Sequence, residues 1–141
     1  MAVALEMAVA DANSTGDTSI IAGKRFLVLD DEFLIALDIQ QILEAEGAVS
    51  VVCAANSTDA LAALKAGAKI DLAILDLKLS GASRTSLSVA ATLTAQGTPF
   101  VFLTAMREDN EMRKFPNAPV VAKPYEAALL LDAIVRAFGT P

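Results

Sequence analysis

The sequence predicts a doubly wound α/β domain, a five-stranded parallel sheet covered by helices on both faces. Three observations predict it. Short apolar runs alternate with longer segments of helical spacing. The runs are apolar throughout rather than at every second residue, as in strands buried on both faces. Polar residues able to do chemistry stand where four of the five runs end, and the carboxyl edge of an open α/β sheet is where ligands bind.

The elements follow in order. Residues 1–22 read as an N-terminal extension, because 11–19 are small and polar like a flexible linker, and the folded domain is expected to span 23–141. Phe26–Leu29 is the first strand. Glu32–Glu46 carries Ile35, Ile39 and Ile42 at helical spacing, and Gly47 ends it. Ala48–Ala55 is the second strand. Ser57 is a suitable N-cap for a helix over Thr58–Ala66, which Gly67 ends. Leu72–Leu75 is the third strand, Arg84–Gln96 a helix ended by Gly97, and Phe100–Leu103 the fourth strand. Met106–Pro119 is rich in charge and carries Pro116 and Pro119, so it has room for only a shortened helix and should be locally unstable. Val120–Ala122 is a short fifth strand and Glu126–Phe138 the last helix. Right-handed crossovers then place helices on both faces.

Composition narrows the functional classes. The 141 residues suit one domain, and 55% hydrophobic against 20% charged argues against disorder. A net charge of −6, with no Lys/Arg cluster larger than the pair Lys24-Arg25, disfavours nucleic acid as a partner. The absence of histidine removes histidine-based nucleophile arrangements and histidine metal sites. Cys53, alone inside an apolar run, reads as a buried structural thiol in a reducing compartment. No apolar run approaches the ~20 residues that span a bilayer. Ala8-Val9-Ala10 mimics a cleavage site, but no Lys or Arg precedes it and Glu6 interrupts the apolar stretch, which argues against export. Nothing after Pro141 could serve as an output domain, so output is expected through protein contacts.

The candidate site comes from position. Strand one runs into Asp30-Asp31, strand three ends at Asp76, strand four at Thr104 and strand five at Lys123. In the order 2-1-3-4-5, strands one and three are neighbours at the switch point, and three carboxylates, a hydroxyl and an ammonium converge there. Carboxylates crowded together repel unless a cation is present, and an oxygen-only cluster suits magnesium. A lysine and a hydroxyl beside them suit phosphoryl oxygens, so the set reads as phosphoryl transfer with a carboxylate nucleophile. Taken singly, each Asp is as easily a helix cap or turn residue, Thr104 a turn residue and Lys123 a solvated lysine. Their joint placement on four strands favours function.

The pattern Phe-Leu-Val-Leu-Asp-Asp-Glu, then Asp76, Thr104 and Lys123-Pro124, resembles the receiver domains of bacterial two-component systems over about residues 24–139. The resemblance implies a flavodoxin-like receiver fold and an aspartyl-phosphate site. In it Asp76 is the phosphoacceptor, Asp30, Asp31 and Asp76 hold Mg2+, and the backbone carbonyl of Lys78 is a further ligand. Thr104 is the switch hydroxyl, and Lys123 binds the phosphoryl group ahead of a cis Lys123–Pro124 bond. It also implies a cytoplasmic signalling domain rather than an enzyme, one that assists its own phosphorylation and dephosphorylation. Its partners would be a sensor histidine kinase or phosphotransfer protein and a downstream protein target, without nucleic acid or membrane. Phe102-Leu103-Thr104-Ala105-Met106 is similar to the Phe-x-Thr-Gly-Tyr motif of a subgroup of often stand-alone receivers, with Ala105 and Met106 departing from it. Val120 replaces the usual aromatic three residues before the lysine, and Ser80 a frequent proline.

Three rival readings rank lower. A pseudo-receiver interaction module would not use phosphate, and the complete residue set argues against it. A flavodoxin-like cofactor binder needs a Ser/Thr/Gly-rich loop after strand one, where Asp30-Asp31-Glu32 would repel phosphate. A haloacid-dehalogenase-type phosphatase needs a second Asp two residues after the first, where Lys78 stands.

Overall fold

A computed structural model describes residues 18–77, 86–105 and 113–139. Five parallel strands form one sheet: β1 (Arg25–Leu29), β2 (Ser50–Ala54), β3 (Leu72–Asp76), β4 (Phe100–Thr104) and β5 (Val120–Ala122). Their order is β2-β1-β3-β4-β5, as the sequence predicts. The helices are α1 (Phe33–Ala45), α2 (Ser57–Lys65), α3 (Leu87–Gln96) and α4 (Ala127–Gly139).

Alternation along the strands sorts the core into two layers. Phe26, Val28, Leu72, Ile74, Val101, Leu103 and Val121 point to one face, where Ile39 and Leu43 of α1 and Leu130 and Ile134 of α4 cover them. Leu27, Leu29, Ala73, Leu75, Phe100 and Phe102 point to the other, under Ala60 and Leu64 of α2 and Val89 and Leu93 of α3. The three central strands are apolar on both faces because both faces are covered.

The core reaches upstream of Gly23. Ile21, in the short helical turn Thr18–Ile21, is fully buried in the layer of α1 and α4. The turn after α1 accommodates this segment. Gly47 has φ +97, and a Cβ there would meet Ala22 Cβ at 3.0 Å. Its carbonyl accepts from Gly23 N–H at 2.9 Å, so glycine is required both by conformation and by space.

Two local expectations are corrected. The cap of α2 is Asn56, not Ser57: its extended backbone lets the side-chain oxygen accept from Asp59 N–H at 2.8 Å, which makes Ser57 the first helical residue. Cys53 is exposed, not buried. It lies on edge strand β2, where α1 presents Gln40, whose Oε1 is 3.6 Å from Sγ, rather than its apolar stripe. Partial desolvation and the Glu44 charge push this thiol's pKa up, which keeps it protonated at neutral pH.

The shortened helix between β4 and β5 would fall largely on 106–112, outside the described residues. The rest of that connection is anchored: the Phe115 ring sits 5.6 Å from Phe100 and 6.0 Å from Phe102, edge on to both. The start of the helix expected from Arg84 also lies outside the described residues, and α3 begins after Ser86. Among the described residues no helix is long and apolar enough to cross a membrane.

Candidate active site

Because every strand runs the same way, the residues that end β1, β3, β4 and β5 share one edge of the sheet. Main-chain hydrogen bonds carry the ladder past the strand ends. Asp30 N–H donates to Ala54 O at 3.1 Å, Leu77 N–H to Leu103 O at 2.9 Å, and Lys123 N–H to Thr104 O at 2.8 Å. Asp30, Asp76, Thr104 and Lys123 therefore start from backbone held in place.

The side chains converge. Lys123 Nζ lies 3.2 Å from Asp30 Oδ2 and 3.3 Å from Asp76 Oδ2, so one ammonium joins carboxylates from the ends of β1 and β3. It also lies 3.3 Å from Glu32 Oε1. Asp30, Asp76 and Thr104 are buried, whereas Glu32 is exposed. The Lys123–Pro124 peptide bond is cis.

Asp30 serves two ends at once. Its Oδ1 accepts from Glu32 N–H at 2.8 Å, which is the turn role the plainer reading gave it. Its Oδ2 is buried, has no hydrogen bond among the described groups, and faces the crevice beside the ammonium. The α1 helix itself has no side-chain cap.

Electrostatics follow from this crowding. Burial, then the charge of Asp30, pushes the Asp76 carboxyl up to about 6, against the pull of Lys123. Burial likewise raises the Asp30 carboxyl, with the Glu32 N–H and Lys123 opposing. Burial works against the Lys123 ammonium, but Asp76 and Asp30 outweigh it, and its pKa rises. The lysine stays charged while its carboxylates hold more charge than they would choose.

A hard cation would relieve that excess. Carboxylate oxygens of Asp30, Asp31 and Glu32 lie within 4.8 Å of one another, and Asp76 feels the charge of Asp31. Oxygen-only donors, one of them the buried Asp30 Oδ2 beside the Lys123 ammonium, fit magnesium. Asp30, Asp31, Asp76, Thr104 and Lys123 thus lie on one edge as the sequence suggested, while Lys78 lies outside the described residues. Sequence reading gave Glu32 no role; its only signal was its place directly after the acidic pair. A surface pocket of about 310 Å³, lined by Thr98, Phe100, Lys114, Phe115 and Asn117, contains no member of this cluster.

Comparison with known proteins agrees with this fold. The response regulator receiver domain family model matches residues 26–135. The chain is 28% identical over 111 residues to the uncharacterized transcriptional regulatory protein YbdJ of Bacillus subtilis (strain 168), covering 77% of this chain and 48% of that protein. It is 36% identical over 85 residues to the transcriptional regulatory protein YvrH of the same organism, covering 59% and 34%. The chain therefore spans at most about half the length of these relatives. Among solved structures, a response regulator receiver protein from Sinorhizobium medicae WSM419 superposes with TM-score 0.74 at 23% identity, covering 84% of this chain and 96% of that one. A CheY-like receiver domain protein from Methanospirillum hungatei JF-1 gives 0.69 at 27%, covering 80% and 91%.

Proposed function

The chain belongs to the response regulator receiver domain family, and from that premise we propose that it accepts a phosphoryl group on Asp76 from a histidine kinase or phosphotransfer protein. The observation that carries this reading is one ammonium, Lys123 Nζ, within 3.3 Å of carboxylates from two neighbouring strand ends. No arrangement of helix caps requires that convergence.

In the proposed reaction Asp76 attacks the phosphorus of a phosphohistidine. The new O–P bond forms as the P–N bond breaks, and the electron pair leaves on the imidazole nitrogen, which takes a proton from solvent. Lys123 Nζ, already beside Asp76 Oδ2, pairs with phosphoryl oxygens as they arrive. Asp30, Asp31 and Asp76 would hold Mg2+, with the Lys78 carbonyl as a further ligand. Bound there, the ion supplies charge neutralisation between carboxylates and phosphoryl group.

In the proposal Thr104, buried at the end of β4, hydrogen-bonds the phosphoryl group and draws the following loop inward. The exposed Val120 leaves β5 without the aromatic side chain many receivers rotate. In the proposal the response is read at the β4–β5 surface by a protein partner, in the cytoplasm. Placement among stand-alone receivers is part of the proposal, on the strength of Phe102 and Thr104; the mass of the natural gene product tests it. The transcriptional role in the relatives' names is not carried over.

The test is transfer from a phosphorylated histidine phosphotransfer domain. Label should move to this protein with magnesium and stay on the donor with a chelator. Wild-type protein that takes no label from any donor, small-molecule donors included, is a pseudo-receiver, and the proposal is wrong.

A further inference from the structure

Lys123 reaches the carboxylates from a short loop between β5 and α4, so its precision depends on what holds that loop. On the strand side its own N–H donates to Thr104 O at 2.8 Å. On the helix side, two residues on, the Tyr125 hydroxyl donates to Asp38 Oδ2 of α1 at 2.6 Å. This is a short charge-assisted hydrogen bond that spans 87 residues of sequence. The Tyr125 ring packs against the core layer of α1 and α4. Phenylalanine would fill that packing equally well, so the hydroxyl's use is the bond to Asp38. The same helix begins beside Glu32, whose carboxylate meets the Lys123 ammonium at 3.3 Å. One helix thus touches both the tip of the lysine and the loop that carries it.

We infer that Tyr125 and Asp38 form a positioning pair that ties the Lys123 loop to α1 and so aims the ammonium at Asp76. The inference rests on the phosphoacceptor reading for its functional consequence, and on geometry alone for the placement of Lys123. Neither residue touches the reacting atoms; both act through Lys123.

The experiment measures phosphorylation by phosphoramidate with saturating Mg2+, alongside the side-chain 15N resonance of Lys123. Tyr125→Phe should slow adduct formation about three- to tenfold, the scale of losing one partly exposed charge-assisted hydrogen bond. Asp38→Ala should match it, and Asp38→Asn, which keeps an acceptor oxygen, should restore most of the rate. In a Lys123→Ala background Tyr125→Phe should cost nothing further, because the pair acts only through the lysine. The Lys123 resonance should shift in Tyr125→Phe. An equal slowing without Lys123, or an unchanged rate and resonance in Tyr125→Phe, overturns the inference. Wild-type protein that forms no adduct defeats the phosphoacceptor reading instead, and the resonance alone then decides the positioning of Lys123.

Discussion

At Asp76, the proposed phosphoacceptor, burial makes the metal-free fold sensitive to pH. Its carboxyl is raised from the ordinary 3.8 to about 6. Between those values the folded chain keeps a proton that the unfolded chain has released, so this group's contribution to stability falls as pH rises from about 4 to about 6 and is level above. Discounted for partial solvation, the cost at neutral pH is about 2 kcal/mol. Asp76→Asn should therefore be more stable than wild type by about that amount in metal-free urea titrations at pH 7.5, and the gap should close toward pH 4. A gap that ignores pH would show that Asp76 is not strained by its neighbours. Of the site, the residues at strand ends were legible in the sequence, because strand polarity alone puts them on one edge. Glu32 and the Tyr125–Asp38 pair were not, since both depend on where α1 lies over the sheet.

Helix boundaries and edges show where sequence patterns stop informing. Asn56 and Ser57 are both good caps and stand side by side; only the extended backbone of Asn56 decides between them. Asn56→Ala should cost about 1 kcal/mol, read as a lower urea midpoint, while Ser57→Ala should cost less. Cys53 was misread because an apolar run looks the same at an edge as in the middle of a sheet. The finding that it is exposed makes Cys53→Ser a mild change, within about 0.5 kcal/mol by the same measurement. Leu93, fully buried in the layer of α2 and α3, should behave otherwise: Leu93→Ala should lose about 2–5 kcal/mol. The apolar runs announced the strands clearly. Which face each residue serves became visible only with the helices in place.

For the molecule as a whole, an all-parallel sheet gathers charge at one end, and a ligand there should act on the whole fold. Magnesium that binds only the folded state stabilises it by about 2.7 kcal/mol at a hundred times its Kd. The Tm of wild-type protein should therefore climb with magnesium concentration, and the Tm of Asp30→Ala much less. The strand order and the convergence of Asp30, Asp76 and Lys123 were both readable from alternating apolar runs and the polar residues that end them. On that edge Asp76 is the proposed nucleophile. The most direct measurement is peptide mapping after incubation with a small phosphodonor and magnesium, with borohydride reduction to mark the acyl phosphate. The mark should fall on Asp76 and disappear in Asp76→Ala. A mark on another residue, or an undiminished adduct in that variant, would contradict the account.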